Sequence, residues 1–294
     1  MKMTNAASCG LRCREIAPAD LPALAELLAK GFPRPLSFWT AALDALARRD
    51  APESYPRFGF LLEREGRPVG TLLTIYTRVP GAGERMRCNI SSWYVDPDWR
   101  AGGYASALIA AALRYRNVTY VNISPAPHTW RTIEAQGFRR FCEGQMICVP
   151  ALKDLFSKTK VSVFDPAADY GASLSGFERN LLAAHQSYGC LALVVRDEGG
   201  VHPFIFATRR AFGGRLPVAQ LVYCRDQADF ARFSGPLGRA LARRGRPLVL
   251  LDCDNAIPGL LGVFRANRGP KYFKGPDRPR LGDLAFCEFV LFGF

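Results

Sequence analysis

Two adjacent glycines stand where a strand pattern passes into a helix pattern. The segment reads VDPDWRAGGYASALIAAAL from Val95 to Leu113, and the pair is Gly102 and Gly103, close behind Arg100. Glycine lowers helix stability by about 1 kcal/mol relative to alanine, so its use here points to a need for bare backbone. A helix start leaves four N–H groups without intrahelical partners, and their partial charge favours an anion. We predict a phosphate-binding turn, to which Arg100 adds a charge-assisted hydrogen bond.

A second candidate for chemistry is a histidine that follows a predicted strand. His128 comes shortly after the apolar stretch 118–124. Histidine titrates near neutral pH and suits proton transfer, so His128 is our candidate catalytic residue. The alternative is an ordinary surface or helix-entry histidine.

The cysteines and histidines do not form a metal-binding pattern. Nine cysteines include no CxxC pair, and the three histidines are dispersed. We therefore predict reduced, mostly buried thiols and no metal. Cys88, Cys142 and Cys148 could be nucleophiles, but the sequence offers them no histidine partner, and buried thiols are usually inert.

The elements that must position these residues occur twice along the chain. Hairpin patterns at 60–78 and 191–210 are each followed by a strand pattern, at 87–95 and at 216–224, and then by a helix and a further strand. The element order β-α-β-β-β-α-β-α-β fits both halves. We predict an α/β fold made of two copies, residues 1–150 and 151–294, joined near 150–160.

The glycine turn resembles the acyl-CoA-binding motif of the GNAT superfamily of N-acyltransferases, (R/Q)-x-x-G-x-(G/A). Arg100, Gly103 and Ala105 match that motif, and IEAQGFRRF resembles the family's later Gly-Phe signature at Gly137-Phe138. The resemblance covers residues 11–150. In the second half only the element order carries it: the aligned stretch 230–238 lacks the motif, and we expect Pro236 to disrupt a helix start there. The chain resembles a tandem GNAT protein with a degenerate second copy.

The resemblance implies two GNAT-like domains, each a mixed, mostly antiparallel sheet flanked by helices. It also implies acetyl-CoA or another acyl-CoA as donor substrate, with its pyrophosphate on the backbone N–H groups of 101–106 and its pantetheine arm along the strand edge 89–95. The implied donor-binding residues are Tyr94, Val95, Arg100, Ala101, Gly102, Gly103, Tyr104, Ala105 and Ser106.

The expected activity is direct attack of an amine on the acyl group, with a small molecule or a protein as acceptor. Ile133 stands where the family often has a tyrosine that protonates the departing thiolate, and the strand 87–95 carries no carboxylate. Two alternatives therefore stay open. One is a CoA-binding sensor without catalysis; the other, less favoured, is a transferase that uses aminoacyl-tRNA.

Composition and charge indicate the cellular location and the kinds of partner that we expect. The chain has 294 residues, is 49% hydrophobic and carries a net charge of +13. We find no secretory signal, and the longest nearly apolar run, 104–113, is too short to span a bilayer. We expect a cytoplasmic protein that does not associate with membranes. The positive charge attracts anions in general, but without a recognised RNA motif we do not expect a nucleic-acid partner. Monomer and homodimer are both open.

Overall fold

The computed structural model describes residues 10–80, 85–211 and 216–293. The chain divides into two compact units, Met1–Tyr120 and Val121–Phe294. The strands are β1 Leu11–Glu15, β2 Gly59–Arg64, β3 Arg67–Val79, β4 Arg85–Val95, β5 Val118–Asn122, β6 Arg139–Cys148, β7 Lys160–Val163, β8 Leu191–Asp197, β9 Gly200–Ala211, β10 Leu216–Cys224, β11 Val249–Cys253 and β12 Gly262–Lys274. The helices are α1 Leu21–Gly31, α2 Leu36–Arg48, α3 Tyr104–Ala112, α4 Trp130–Ala135, α5 Gly176–Ser187, α6 Gln227–Ala242 and α7 Glu288–Leu291.

The sheet of the first unit is an antiparallel meander in the order β1-β2-β3-β4. The predicted hairpin at 60–78 is present as β2 and β3. Helix α1 packs against β3 and β4, α2 packs against α1, and α3 packs against β1, β2 and β3. Buried side chains of α1 and α2, among them Leu24, Leu28 and Trp39, form the apolar face that holds these helices in place.

An ionic cluster joins β1, β2 and the start of α1. Arg14 donates hydrogen bonds to Asp20 (Nη1–Oδ2 2.7 Å) and to Glu63 (Nε–Oε2 2.8 Å). Asp20 also accepts a hydrogen bond from the backbone N–H of Ala17 at 2.7 Å. The carboxylate thus fixes the turn that leads from β1 into α1.

The sheet of the second unit has the order β12-β6-β11-β10-β9-β8-β7. Its pairs are antiparallel except for β10 with β11, which is parallel. Neighbouring residues of a strand point to opposite faces. On β9, Phe204 and Phe206 join the core under α6, while Ile205 and Ala207 join the core under α5. Helices therefore cover both faces of this sheet.

A buried ion pair lies among the central strands of the second unit. Lys271 on β12 is fully buried, and its Nζ lies 2.8 Å from Oδ1 of Asp252 on β11. Gln145 on β6 donates to the same carboxylate oxygen at 2.9 Å. A buried charge is tolerated when it is paired and hydrogen-bonded, and these bonds tie three strands together.

The predicted fold class, α/β with mixed, mostly antiparallel strands flanked by helices, is confirmed. Strand neighbours run β1 to β5 in the first half and β7 to β11 in the second, so strand order follows the predicted repeat. Three details of the predicted element order were wrong. The first half has an additional helix, α2, the second half has a helix, α7, after its last strand, and residues 254–261, all of which the structure describes, contain no helix.

The last strand of the first half belongs to the second compact unit. β6 pairs with β11 through Val249↔Cys148 and with β12 through Gly262↔Cys148. The boundary between the compact units therefore lies between residues 120 and 121. The repeated order of elements in the sequence instead predicts a duplication boundary at residue 150. That boundary stays a prediction. No helix within the described ranges is both long and apolar enough to cross a membrane.

Candidate acyl-donor site

Strand β4 is bent by a bulge shortly before it ends. β3 pairs Leu73 with Ser91 but Thr71 with Tyr94, so β4 has one residue more than its partner across this stretch. Ser92 takes the extra position with a φ of 51°. A bulge leaves a residue unpaired and redirects the strand. At the same place the indole Nε1 of Trp93 is buried and has no hydrogen-bond partner among the described residues.

The chain passes from β4 to α3 through a fixed turn. A 3-10 helix, Pro97–Gly102, follows β4, and Gly103 then adopts a left-handed conformation with a φ of 71°. Asp96 anchors the turn at two points. Its N–H donates to Val69 O at 2.9 Å, and its carboxylate lies 2.6 Å from Lys30 Nζ.

The two glycines serve different purposes. A Cβ on Gly102 would lie 2.1 Å from the ring of Tyr104, so that ring lies where a side chain of residue 102 would be. A Cβ on Gly103 would meet no heavy atom within 4 Å. Gly103 is exposed, and its positive φ is readily adopted only by glycine and, at some cost, by Asn or Asp. The space beside Gly103 is therefore open to a ligand.

The first turn of α3 has the features of an anion site. Among the residues that the structure describes, no side chain caps the helix start, and the first turn carries no acidic residue. Ser106 N–H donates to Gly103 O at 2.9 Å, while the N–H groups of Tyr104 and Ala105 precede any intrahelical acceptor. Uncapped donors and the partial charge of the helix end together favour an anion such as phosphate.

Arg100 lies beside this helix start and is held by β4. Its Nε donates to Val95 O at 2.9 Å, and its guanidinium carbon lies 5.7 Å from the ring centre of Tyr94. Tyr94 is fixed in turn by Gly31, where a Cβ would come within 2.7 Å of the tyrosine ring. Of the predicted donor-binding residues, Tyr94 and Val95 end β4, and those of 100–106 lie in the turn and at the start of α3. The bond to Val95 engages Nε of Arg100 and neither Nη group.

The proposed catalytic histidine lies in the second unit. His128 is exposed in a 3-10 helix, Pro127–Thr129, and makes no hydrogen bond within the described residues. Ile133 on α4 is 3% exposed, so its position belongs to the apolar core and provides no proton donor. The role of His128 stays a prediction.

Sequence reasoning did not single out a buried carboxylate near the end of the chain. Glu288, the first residue of α7, is 1% exposed, and its Oε1 accepts a hydrogen bond from the hydroxyl of Ser124. Since 164 residues separate the two, no local motif links them. The available signal was one acid inside the apolar run LAFCEFVLF, because a buried charge requires a partner.

The thiols are poorly suited to nucleophilic catalysis. Burial raises the pKa of Cys88, Cys142 and Cys148 to about 12. At neutral pH these groups are therefore protonated, and the thiolate is the nucleophilic form. All eight cysteines within the described ranges are free. No group of three His, Cys, Asp or Glu side chains in that part of the chain is arranged to hold a metal ion.

The predicted second-copy turn was misplaced. Residues 230–238 lie inside α6, which begins at Gln227, so Pro236 does not disrupt a helix start. The small residues serve packing instead: a Cβ on Gly235 would lie 2.1 Å from Lys153 O, and one on Gly238 would lie 2.3 Å from Ala151 N. The true start is capped by Asp226, which accepts from Ala228 N–H at 2.9 Å.

Comparison with known proteins finds a family match within the first unit. The model of the acetyltransferase (GNAT) family matches residues 21–117, which include the turn 95–106. No curated protein matches the chain. Similar solved structures include a GCN5-related N-acetyltransferase from Anabaena variabilis (TM-score 0.61, 12% identity, 90% of this chain and 72% of that one). A putative acetyltransferase from Pyrococcus horikoshii has a TM-score of 0.56 and 11% identity, and the match covers 97% of this chain and 96% of that one. A GCN5-related N-acetyltransferase from Kribbella flavida has a TM-score of 0.56 and 12% identity, and the match covers 92% of this chain and 72% of that one.

At these identities the solved structures establish the fold alone. The model of the GNAT family matches the segment 21–117 of the 294 residues, and this segment contains the motif at Arg100, Gly103 and Ala105.

Proposed function

We propose that the protein is an acyl-CoA-dependent N-acyltransferase whose donor, acetyl-CoA or another acyl-CoA, binds at the turn between β4 and α3. The observation that carries the proposal is the uncapped start of α3 beside the open, left-handed Gly103. It follows the bulged strand β4 and the 3-10 helix Pro97–Gly102, in a segment that matches the family model. The N–H groups of 101–106 would hold the pyrophosphate, and Arg100 would add its Nη donors.

The strand before the turn would position the reacting end of the donor. The pantetheine arm would pair with the backbone of 89–95, and a backbone N–H at the bulge would polarise the thioester carbonyl. Acyl-CoA supplies the activated acyl group. An amine nitrogen attacks the carbonyl carbon, the C–S bond breaks, and the amine loses a proton while the thiolate gains one. Holding both reactants together accounts for much of the rate enhancement.

The acceptor is an amine of a small molecule or of a protein. The second half carries the degenerate copy in this proposal, and the setting is cytoplasmic. A second candidate function, CoA binding without catalysis, is favoured by one observation: the position that often carries the proton-donating tyrosine is the buried Ile133. Thiol release in the presence of a panel of amines separates the two functions.

The first test compares two variants at one position. Asn and Asp both tolerate a positive φ and have the same shape, so Gly103→Asn and Gly103→Asp differ in charge. We expect calorimetry to show that acetyl-CoA binds to the parent and to Gly103→Asn, and that Gly103→Asp loses at least tenfold in affinity because its carboxylate repels the pyrophosphate.

Equal affinity of the two variants for acetyl-CoA would show that the pyrophosphate does not bind at this turn. If the parent itself does not bind acetyl-CoA, the glycines only shape the chain and the proposed function fails.

A further inference from the structure

Strand β10 of the second unit shares the local form of β4. Its pairing with β9 shifts between Leu221↔Phe206 and Tyr223↔Ile205, so Val222 is an extra, bulged residue. Its parallel pairing with β11 comprises Ala219↔Val249 and Gln220↔Leu250. The pairing of β10 with β11 ends at Gln220. After that residue, this edge of β10 can form hydrogen bonds with another segment of backbone.

The chain's own C-terminal part occupies that edge. Cys224 N–H donates to Gly282 O at 2.9 Å, and Leu284 N–H donates to Val222 O at 2.8 Å. Between these bonds Tyr223 and Asp283 form an antiparallel bridge. Because β9 takes the opposite edge of β10 up to Cys224, the segment 282–284 lies on the side that leads toward β11. We call residues 282–284 the strap.

The close approach of the strap depends on a glycine. Gly282 has a φ of 79°, and a Cβ there would lie 2.7 Å from the sulfur of Cys224. The strap and the chain beyond it are anchored: Leu284 of the strap is 5% exposed in the core under α5, and Phe286 N–H donates to His185 Nε2 at 3.1 Å. The strap is therefore an integral part of the second unit.

The helix that follows β10 is unsuited to phosphate. The side chain of Asp226 takes the N–H of Ala228, and Asp229 adds a second carboxylate in the first turn of α6. Two negative charges at a helix start repel an anion that the helix end would otherwise attract. The start of α3, by contrast, has neither a side-chain cap nor an acid.

We propose that the strap fills the donor groove of the second copy, so that its backbone takes the hydrogen bonds that a pantetheine arm would make on β10. The inference rests on the proposed function for its identification of the groove. Its consequence is one acyl-CoA site per chain, in the first unit, with the second copy closed by its own C-terminal segment.

Binding stoichiometry tests the consequence. Native mass spectrometry with acetyl-CoA is expected to show one bound molecule per chain, lost in Gly103→Asp and kept in Gly103→Asn. A second bound molecule, or one that persists in Gly103→Asp, would overturn the inference. If no acetyl-CoA binds at all, the proposed function is refuted. Hydrogen exchange then tests whether the strap is bound to β10.

Hydrogen exchange tests the strap independently of any ligand. The amides of Cys224 and Leu284 are expected to exchange slowly in the parent, at rates that acetyl-CoA does not change. Gly282→Ala should raise both rates at least tenfold, because its methyl group collides with Cys224. Gly245→Ala is the matched control: φ there is 74°, and a Cβ would meet nothing within 4 Å. Fast exchange at both amides in the parent would rule the strap out.

Discussion

Gly102 and Gly103 meet different physical demands although they are neighbours. The ring of Tyr104 lies over Gly102, whereas Gly103 needs a left-handed backbone and leaves open space above it. The sequence alone predicts the turn because a strand, two glycines and a helix follow one another locally. Which glycine packs against a ring and which leaves open space depends on the position of the Tyr104 ring. Composition and spacing do not determine that position.

The proposed reaction requires a group that transfers protons, and His128 is the candidate. His128 is exposed to solvent, and general acid–base groups contribute about 10²–10⁴-fold to rates. We expect His128→Asn to lower kcat by about 10²-fold with an unchanged Kd for acetyl-CoA. Steady-state kinetics over a range of pH, with calorimetry alongside, would measure both.

Glu288 provides the comparison for that experiment. It is the buried carboxylate bonded to Ser124, and Glu288→Gln removes its charge at constant shape. If His128→Asn keeps full activity and Glu288→Gln lowers kcat by about 10²-fold, the proton-transfer role belongs to Glu288 and not to His128. The sequence could not suggest Glu288, because its partner is 164 residues away.

Elements are predictable where their signals are local. The hairpins β2–β3 and β8–β9 follow from apolar runs on either side of a polar turn. The start of α6 was misjudged because Pro236 and its neighbouring glycines resemble a helix boundary. The close approach of Gly235 to Lys153 and of Gly238 to Ala151 shows that these glycines serve tertiary packing. The cap at Asp226 was the better local signal.

The ion pair at the junction of β1 and α1 should make the stability of the fold depend on pH. The hydrogen bond from Arg14 lowers the pKa of Asp20 below its ordinary value, against the opposing effect of burial. A carboxyl group whose pKa is lower in the folded state stabilises fully above its unfolded pKa of about 3.9, and this contribution is lost as the pH falls through the folded value. We expect Asp20→Asn to cost about 1–3 kcal/mol at pH 7 and progressively less at lower pH.

Urea unfolding at several pH values between 7 and 3 would measure this difference. Asn can still accept from Ala17 N–H, so the comparison isolates the charge. Asp44→Asn, at an exposed position of α2, changes the net charge equally and should have little effect. A destabilisation of Asp20→Asn that is constant with pH would contradict the assigned role of the ion pair.

For the whole molecule, the predicted repeat and the compact units of the structure divide the chain differently. Strand order runs parallel in the two predicted halves, but β6 lies in the sheet of the second unit, and the repeat stays a prediction. Composition and periodicity predict that β6 is a strand, yet its partners β11 and β12 are about a hundred residues further along the chain. Pairing at that separation leaves no local trace in the sequence.

Fragments that begin at different residues would show which division governs folding. A fragment 151–294 lacks β6, and with it Met146 and Cys148, each 1% exposed in the core under α6. It also lacks Gln145, which bonds Asp252 beside the buried Lys271. We expect this fragment to lose cooperative urea unfolding and near-UV circular dichroism, because β11 would keep only its short pairing with β10. The fragment 121–294 contains all of these groups and should retain both signals, as should the full chain. Cooperative unfolding of 151–294 would instead make the boundary at 150 a folding boundary, with β6 dispensable to the second unit.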